Sequence, residues 1–119
     1  MRTPETRGIT VAFGSFGLKA MTQARVTSNQ LEAARRALTR AGGKTAKVWT
    51  RVFPDRPRTQ KAAEIGIGSG KGDVVGYVVD VRPGRIIFEI DGTPEEVARE
   101  ALRKAGTKLP LTGRIVSRV

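Results

Sequence analysis

The sequence predicts an α+β fold in which two helices pack on a mainly antiparallel sheet. Two observations carry this prediction: residues 28–41 and 93–105 show helical apolar spacing, and shorter segments with strand-like alternation surround them. The 119 residues, 39% of them hydrophobic, suffice for one domain with an apolar core. We therefore expect a single domain over 1–119 with a loose N-terminus at 1–8.

The N-terminal third is predicted to hold a hairpin followed by a helix. Residues 9–13 alternate loosely, and 16–21 return after a Gly-Ser pair, which is typical of a hairpin or a tight corner. Thr27 and Gln30 form a capping box, which predicts that the first helix covers 28–41. The expected buried stripe consists of Leu31, Ala34, Leu38 and Ala41.

The other face of this helix is basic. Arg35, Arg36 and Arg40 have only Glu32 as an acidic neighbour on the helix. A solvated helix face is the ordinary interpretation of such charges. Because one carboxylate cannot neutralise three arginines, we favour contacts with phosphates.

The next predicted strand, 46–53, has two different faces. Alternate residues from Ala46 to Val52 are small or apolar and indicate a core face. The residues between them are aromatic or basic: Lys47, Trp49, Arg51 and Phe53. Such interleaving suits RNA, whose unpaired bases stack on rings while cations hold phosphates. Packing of the lone Trp49 beneath a loop is the competing interpretation.

A proline turn and a basic extension lead into a glycine-rich loop, expected to be mobile over about 62–73. Its spacing excludes two nucleotide-binding motifs. A P-loop ending at Gly70 and Lys71 requires glycine at 65 and serine or threonine at 72, where Ile65 and Gly72 stand. The dinucleotide fingerprint fails because it requires glycine at 71. The bare backbone instead suits a close approach to a phosphate chain.

Beyond the loop, the chain is predicted to be scaffold. Residues 74–81 and 85–90 flank an Arg-Pro-Gly turn and predict an antiparallel hairpin. Three residues of its second strand are expected to face inward: Ile86, Phe88 and Ile90. Residues 112–119 predict an edge strand, since charged residues such as Arg114 and Arg118 discourage further pairing.

The second helix, over 93–105, is predicted to begin with Thr93 as N-cap and Pro94 in the first position. Its expected buried stripe is Val97, Ala98, Ala101, Leu102 and Ala105. Glu95 and Glu96 stand at the helix N-terminus, where negative charge is stabilising, so we assign them to the helix and not to catalysis.

Charge points to a polyanionic partner. The chain carries 22 Lys and Arg against 11 Asp and Glu, a net charge of +11. Residues 1–62 hold 13 of the basic residues and 3 of the acidic ones, so this part is the electrostatic footprint. With no Cys and no His, disulfides, zinc sites and histidine-based catalysis are excluded. We expect no enzyme, cofactor, metal, small-molecule substrate or membrane partner.

Six blocks occur in one order: FGSFGLKA, QLEAARRALTR, VWTRVFPDRP, GSGKGDV, RPGRIIFEIDG and PEEVAREALRKAGTKLP. From Phe13 to about Pro110, they resemble bacterial large-subunit ribosomal protein sixteen. The resemblance implies an α/β-hammerhead fold and a structural role on large-subunit rRNA, between the peptidyl-transferase region and the 5S particle, near the elbow of aminoacyl-tRNA. It implies neighbouring ribosomal proteins as partners and a bacterial-type cytoplasmic ribosome, with an organellar ribosome as the alternative.

The resemblance also implies an RNA-facing set, namely the arginines of the first helix, Arg51, Arg56 and the glycine loop with Lys71. Further positively charged residues, and glycines that leave the backbone accessible to a phosphate, extend this set. The predicted RNA-binding residues are Lys19, Arg25, Arg35, Arg36, Arg40, Lys44, Lys47, Trp49, Arg51, Arg56, Arg58, Lys61, Gly68, Gly70, Lys71 and Gly72.

Two departures from the family pattern narrow this expectation. Family members usually begin with a basic arm, for which residues 1–7 offer only Arg2 and Arg7, so anchoring by such an arm is not predicted. The family loop usually carries arginine and lysine at the positions of Gly66 and Ser69, and no contact by those side chains is expected. The alternative function is a free-standing RNA-binding translational regulator, which a salt wash would separate from the large subunit.

Overall fold

The computed structural model describes residues 8–53 and 78–118. The elements in these ranges are β1 (Phe16–Ala20), β2 (Ala24–Thr27), α1 (Ser28–Gly42), β3 (Lys47–Thr50), β4 (Val78–Val81), β5 (Ile86–Asp91), α2 (Glu95–Gly106) and β6 (Gly113–Ser117). The predicted α+β class, with two helices on a mainly antiparallel sheet, is confirmed. The glycine-rich loop predicted at about 62–73 lies outside the described residues.

The strands form two antiparallel sheets. Four strands pair in the order β3-β5-β1-β6, and β2 pairs with β4. The helices pack against each other; α1 also contacts β3, and α2 contacts β1, β5 and β6. The core between helices and sheet includes Leu18, Leu38, Phe88, Ile90 and Leu102. Within the described ranges, neither helix is long and apolar enough to cross a membrane.

The predicted start of α1 is confirmed. The Thr27 hydroxyl accepts a hydrogen bond from the Gln30 backbone N–H at 3.1 Å, and the Gln30 side chain accepts one from the Thr27 N–H at 2.9 Å. This reciprocal pair satisfies two N–H groups that a helix start would otherwise leave without partners. Leu31, Ala34 and Leu38 are buried as expected, and Ala41 is half-buried.

The predicted hairpin of β4 and β5 is wrong. The turn itself forms, with the Arg85 N–H donating to the Arg82 carbonyl at 3.2 Å. However, β4 pairs with β2, and β5 pairs with β1 and β3. Backbone hydrogen bonds from Gly84 to Ala20 and from Ala20 to Arg85 dock the turn on the end of β1. The two strands therefore enter different sheets.

The predicted strand over 9–13 is also wrong. This segment forms no strand and crosses the face of the four-stranded sheet opposite the helices. Val11 is buried there above Gly17, where an added Cβ would lie 2.9 Å from the Val11 Cγ2. Only glycine lets the segment approach β1 this closely.

Three further differences concern element ends and faces. The second helix begins at Glu95 with Pro94 in the cap position and no side-chain cap bond, so the predicted Thr93 cap is wrong. Val97 is exposed, whereas the other four predicted stripe residues are buried.

On β5, Ile86 is buried, but a bulge opposite Leu18 and Lys19 separates it in register from Phe88. The edge position of β6 beside β1 is as predicted.

Candidate nucleic-acid interface

The outer face of the four-stranded sheet is organised by the carboxylate of Glu89. This side chain is fully buried and accepts hydrogen bonds from the backbone N–H groups of Ala12 at 3.0 Å, Phe13 at 2.7 Å and Gly14 at 2.7 Å. Burial acts to raise the pKa of Glu89, but these donors and Arg51 outweigh it and hold the pKa below its ordinary value. The ionised carboxylate thus fixes residues 12–14 on β5.

Arg51 supplies the cation for this buried carboxylate. Its Nη1 forms an ion pair with Glu89, and 18% of the Arg51 side chain is exposed. The guanidinium carbon also lies 5.1 Å from the centroid of the Phe13 ring, a cation–π geometry. RNA contact by Arg51 stays a prediction. The structure shows that Arg51 also stabilises the fold.

Phe13 and Trp49 stack on this face. Their ring centroids are 6.0 Å apart and the ring planes differ by 23°. Trp49 is half-buried, which agrees in part with its packing beneath a loop, whereas Phe13 is 53% exposed. Sequence reasoning missed Phe13 as a site residue, because no local pattern links it to a strand that begins 34 residues later.

Four exposed cations, which we call the basic strip, follow the end of α1 round the edge of the sheet. They are Arg36, Arg40, Lys44 and Lys47. Positions 36 and 40 share a helix face, 44 lies in the connection to β3, and 47 is the first residue of that edge strand. Spacing along α1 and the short connection therefore place four predicted RNA-binding residues in succession on the surface.

The ion pairs near the strip are weak ones. Glu32 binds Arg35 at 2.6 Å and Arg36 at 3.2 Å, and its hydrogen bond with Arg35 lowers the pKa of Glu32. One carboxylate shared by two arginines leaves a positive charge. Exposed pairs contribute about 0 to 1 kcal/mol, so a phosphate can replace the carboxylate at little cost.

The connection that carries Lys44 is held in place from β5. The Thr45 hydroxyl donates to the Gly92 carbonyl at 2.9 Å. Gly92 has a φ of +81°, and a Cβ there would lie 2.6 Å from the Thr45 carbonyl oxygen. The neighbouring Asp91 accepts from the Ser15 hydroxyl at 2.8 Å, and this bond is the main cause that lowers the pKa of Asp91.

The remaining predicted RNA-binding residues lie elsewhere. Lys19 is half-buried on β1, and Arg25 is exposed on β2, where it faces Asp80 at 3.5 Å. Seven others lie outside the described residues: Arg56, Arg58, Lys61, Gly68, Gly70, Lys71 and Gly72. The predicted cations from α1 to β3 thus follow one another along the chain, Trp49 and Arg51 come together at Phe13, and Lys19 and Arg25 lie on other strands.

A family model described as Ribosomal protein L16p/L10e matches residues 1–116. The chain belongs to this family. A curated relative, the "Large ribosomal subunit protein uL16" of Verminephrobacter eiseniae, is 54% identical over 114 residues, covering 96% of this chain and 83% of that protein. The protein of the same name from Afipia carboxidovorans is 55% identical over 112 residues, covering 94% and 82%. The resemblance stated from the six sequence blocks is confirmed for this L16p/L10e family member.

Proposed function

We propose that the chain is a structural constituent of the large ribosomal subunit that binds large-subunit rRNA. The family match over nearly the whole chain carries this proposal, since relatives at about 54% identity are named as large-subunit proteins. The surface supports it, because the basic strip is exposed and the net charge is +11. A non-enzymatic role in a bacterial-type cytoplasmic ribosome follows from the same assignment.

The proposed work of the protein is electrostatic. Each cation of the basic strip that neutralises a phosphate releases counterions and lets RNA segments approach one another. The strip is attached to a rigid base, since α1 packs on α2 and the α1–β3 connection is fixed to Gly92. Cations on a folded scaffold lose less entropy on binding than cations on a loose chain.

The finer placement belongs to the same proposal. We place the chain near the peptidyl-transferase region, where it helps to shape the site at which aminoacyl-tRNA is accommodated. Its further partners there are the tRNA elbow, the 5S particle region and neighbouring ribosomal proteins. This placement rests on the sequence resemblance and on the exposed positive charge of the basic strip.

Binding of the full chain to fragments of large-subunit rRNA across a salt series tests the proposal. The informative variant carries Arg36→Glu and Arg40→Glu, which reverses two exposed charges of the strip. Arg51 is unsuitable for charge reversal, since a carboxylate there would face the buried Glu89. Loss of two phosphate contacts is expected to lower the log-log salt slope by about two units.

A matched control carries Lys104→Glu and Lys108→Glu. Both lysines are exposed, and the change in net charge is identical, but Lys104 lies in the last turn of α2 and Lys108 just beyond it, outside the strip. We expect the control to bind rRNA more tightly than the strip variant and to keep the parental salt slope. Equal loss in both variants would show that net charge alone matters and would contradict the assignment of the strip.

A further inference from the structure

Phe13 is an exposed aromatic residue whose ring contacts Trp49 and Arg51. Phenylalanine is usually buried, yet 53% of this residue is accessible. The ring is stacked with Trp49 at 6.0 Å, and the Arg51 guanidinium carbon lies 5.1 Å from its centroid. The ring therefore has aromatic and cationic support, while more than half of the residue stays accessible.

The backbone beneath the ring is held unusually firmly for a segment without secondary structure. The Phe13 N–H and both neighbouring N–H groups donate to the buried Glu89 carboxylate. On the C-terminal side, the Ser15 N–H donates to the Ile90 carbonyl at 3.0 Å. A ring on such a backbone has little conformational freedom to lose when a ligand stacks on it.

The charge around the ring favours an anionic partner. Arg51 lies over the ring, and Arg118 donates to the carbonyl of the adjacent Gly14 at 3.4 Å. The carboxylates of Glu89 and Asp91 lie on the same part of the sheet, since they bind the backbone at 12–14 and the Ser15 hydroxyl. Glu89 is buried and already paired with Arg51, and Asp91 has both Lys47 and Arg118 close by. The accessible surface is thus an aromatic ring bordered by net positive charge, which is the usual composition of a stacking site for unpaired nucleotides.

We propose that Phe13 is a stacking platform for an unpaired base of the bound RNA, with Trp49 and Arg51 supporting the ring from the sheet. Glu89 is a positioning residue, since it fixes the backbone on which the ring stands. The proposal deepens the proposed function and rests on it for the identity of the RNA. A protein side chain docking on the ring is the outcome that the experiment must distinguish.

Binding of three variants of the full chain, Phe13→Ala, Phe13→Leu and Phe13→Tyr, to a large-subunit rRNA transcript tests this site. Stacking on one base predicts about 5- to 150-fold weaker binding for Phe13→Ala, a clear loss for Phe13→Leu and parental binding for Phe13→Tyr. The log-log salt slope stays parental in all three variants because no phosphate contact is removed. Lys47→Ala is the matched control, expected to lower the slope by about one unit.

A second arm uses a short oligoadenylate and an RNA duplex of the same length. Trp49 is the only tryptophan, so its fluorescence reports on the stack with Phe13. Oligoadenylate is expected to change this fluorescence in the parent and in Phe13→Tyr, and the duplex to change it less. Thermal unfolding of each variant shows that the fold is retained.

Three results would overturn the stacking proposal. They are parental rRNA binding by Phe13→Ala, parental binding by Phe13→Leu, and an oligoadenylate response that does not require residue 13. If Phe13→Ala binds rRNA as the parent does but fails to enter the large subunit, the ring contacts a protein partner instead. If the parent shows no preference for large-subunit rRNA, the proposed function fails, and the oligoadenylate arm still decides whether Phe13 stacks on bases.

Discussion

Replacing Glu89 by glutamine removes one negative charge from a fully buried site while nearly preserving the shape of the side chain. The retained oxygen can still accept from the N–H groups of Phe13 and Gly14, which both reach Oε1 in the parent. The new amide group takes the place of Oε2, which accepts from Ala12 and Arg51. In Glu89→Gln, the N–H donors of the new amide therefore face the Ala12 N–H and the Arg51 guanidinium, which are donors as well. The guanidinium also loses its counter-charge.

The expected loss of stability follows from this geometry. Removing one partner of a buried ion pair costs about 3–5 kcal/mol. Because 18% of the Arg51 side chain remains exposed to water, we expect the lower end, a loss of about 3 kcal/mol in the free energy of unfolding. In a chain of this size, that loss lowers the melting temperature by about 10 °C.

Urea unfolding followed by circular dichroism measures the change. The control is Glu96→Gln, the same chemical replacement at an exposed position in the first turn of α2, where we expect a loss below about 1 kcal/mol. A loss below about 1 kcal/mol for Glu89→Gln would refute the reasoning that this carboxylate fixes the outer face of the sheet.

The same variant has a signature in its pH dependence. The pKa of Glu89 is lower in the folded than in the unfolded state, so the ionised carboxylate stabilises the fold above the unfolded value of about 4.3. That stabilisation is lost as the pH falls through the folded-state pKa. The difference in stability between parent and Glu89→Gln should therefore shrink on acidification, and a difference independent of pH would contradict this cause.

Two backbone features give further predictions. Gly92→Ala should lower the free energy of unfolding by about 1–3 kcal/mol, because residue 92 has a positive φ. The loss should exceed that of Gly43→Ala, because of these two glycines only Gly92 would place its Cβ against backbone, at the Thr45 carbonyl. Thr27→Ala should cost about 1 kcal/mol by removing the cap of α1, whereas Thr39→Ala on the exposed helix surface should cost nothing. Chemical denaturation of all four variants checks both, and equal losses within either pair would contradict the stated cause.

The sequence predicts this fold well where the signal is local. The capping box of α1 needs only Thr27 and Gln30, three residues apart, and it forms as predicted. The alternation on β3 likewise predicts which side faces the core. The Arg-Pro-Gly turn is also present, but a turn motif predicts only that the chain reverses direction and does not predict which strands pair. The end of β1 at Ala20 decides that β4 and β5 join different sheets.

The candidate site was predictable in its charges and in Trp49. The basic strip could be found by counting cations along α1 and β3. The arrangement around Glu89 could not, because its partners are the backbone at 12–14 and Arg51, which lie 38 to 77 residues away in the chain. Every residue except proline carries the same backbone N–H group, so no sequence pattern predicts that the N–H groups of residues 12–14 donate to a side chain and not to a neighbouring strand.

Retention on the large subunit tests the central claim most directly. A tagged full chain is produced in bacterial cells, ribosomal subunits are separated by sedimentation, and the large subunit is washed at moderate salt. The account predicts that the parent and the α2 control variant stay with the large subunit, and that the Arg36→Glu, Arg40→Glu variant is depleted from it. A parent that leaves the subunit in the wash, and sediments with messenger RNA or alone, would contradict the account and favour a free-standing regulator.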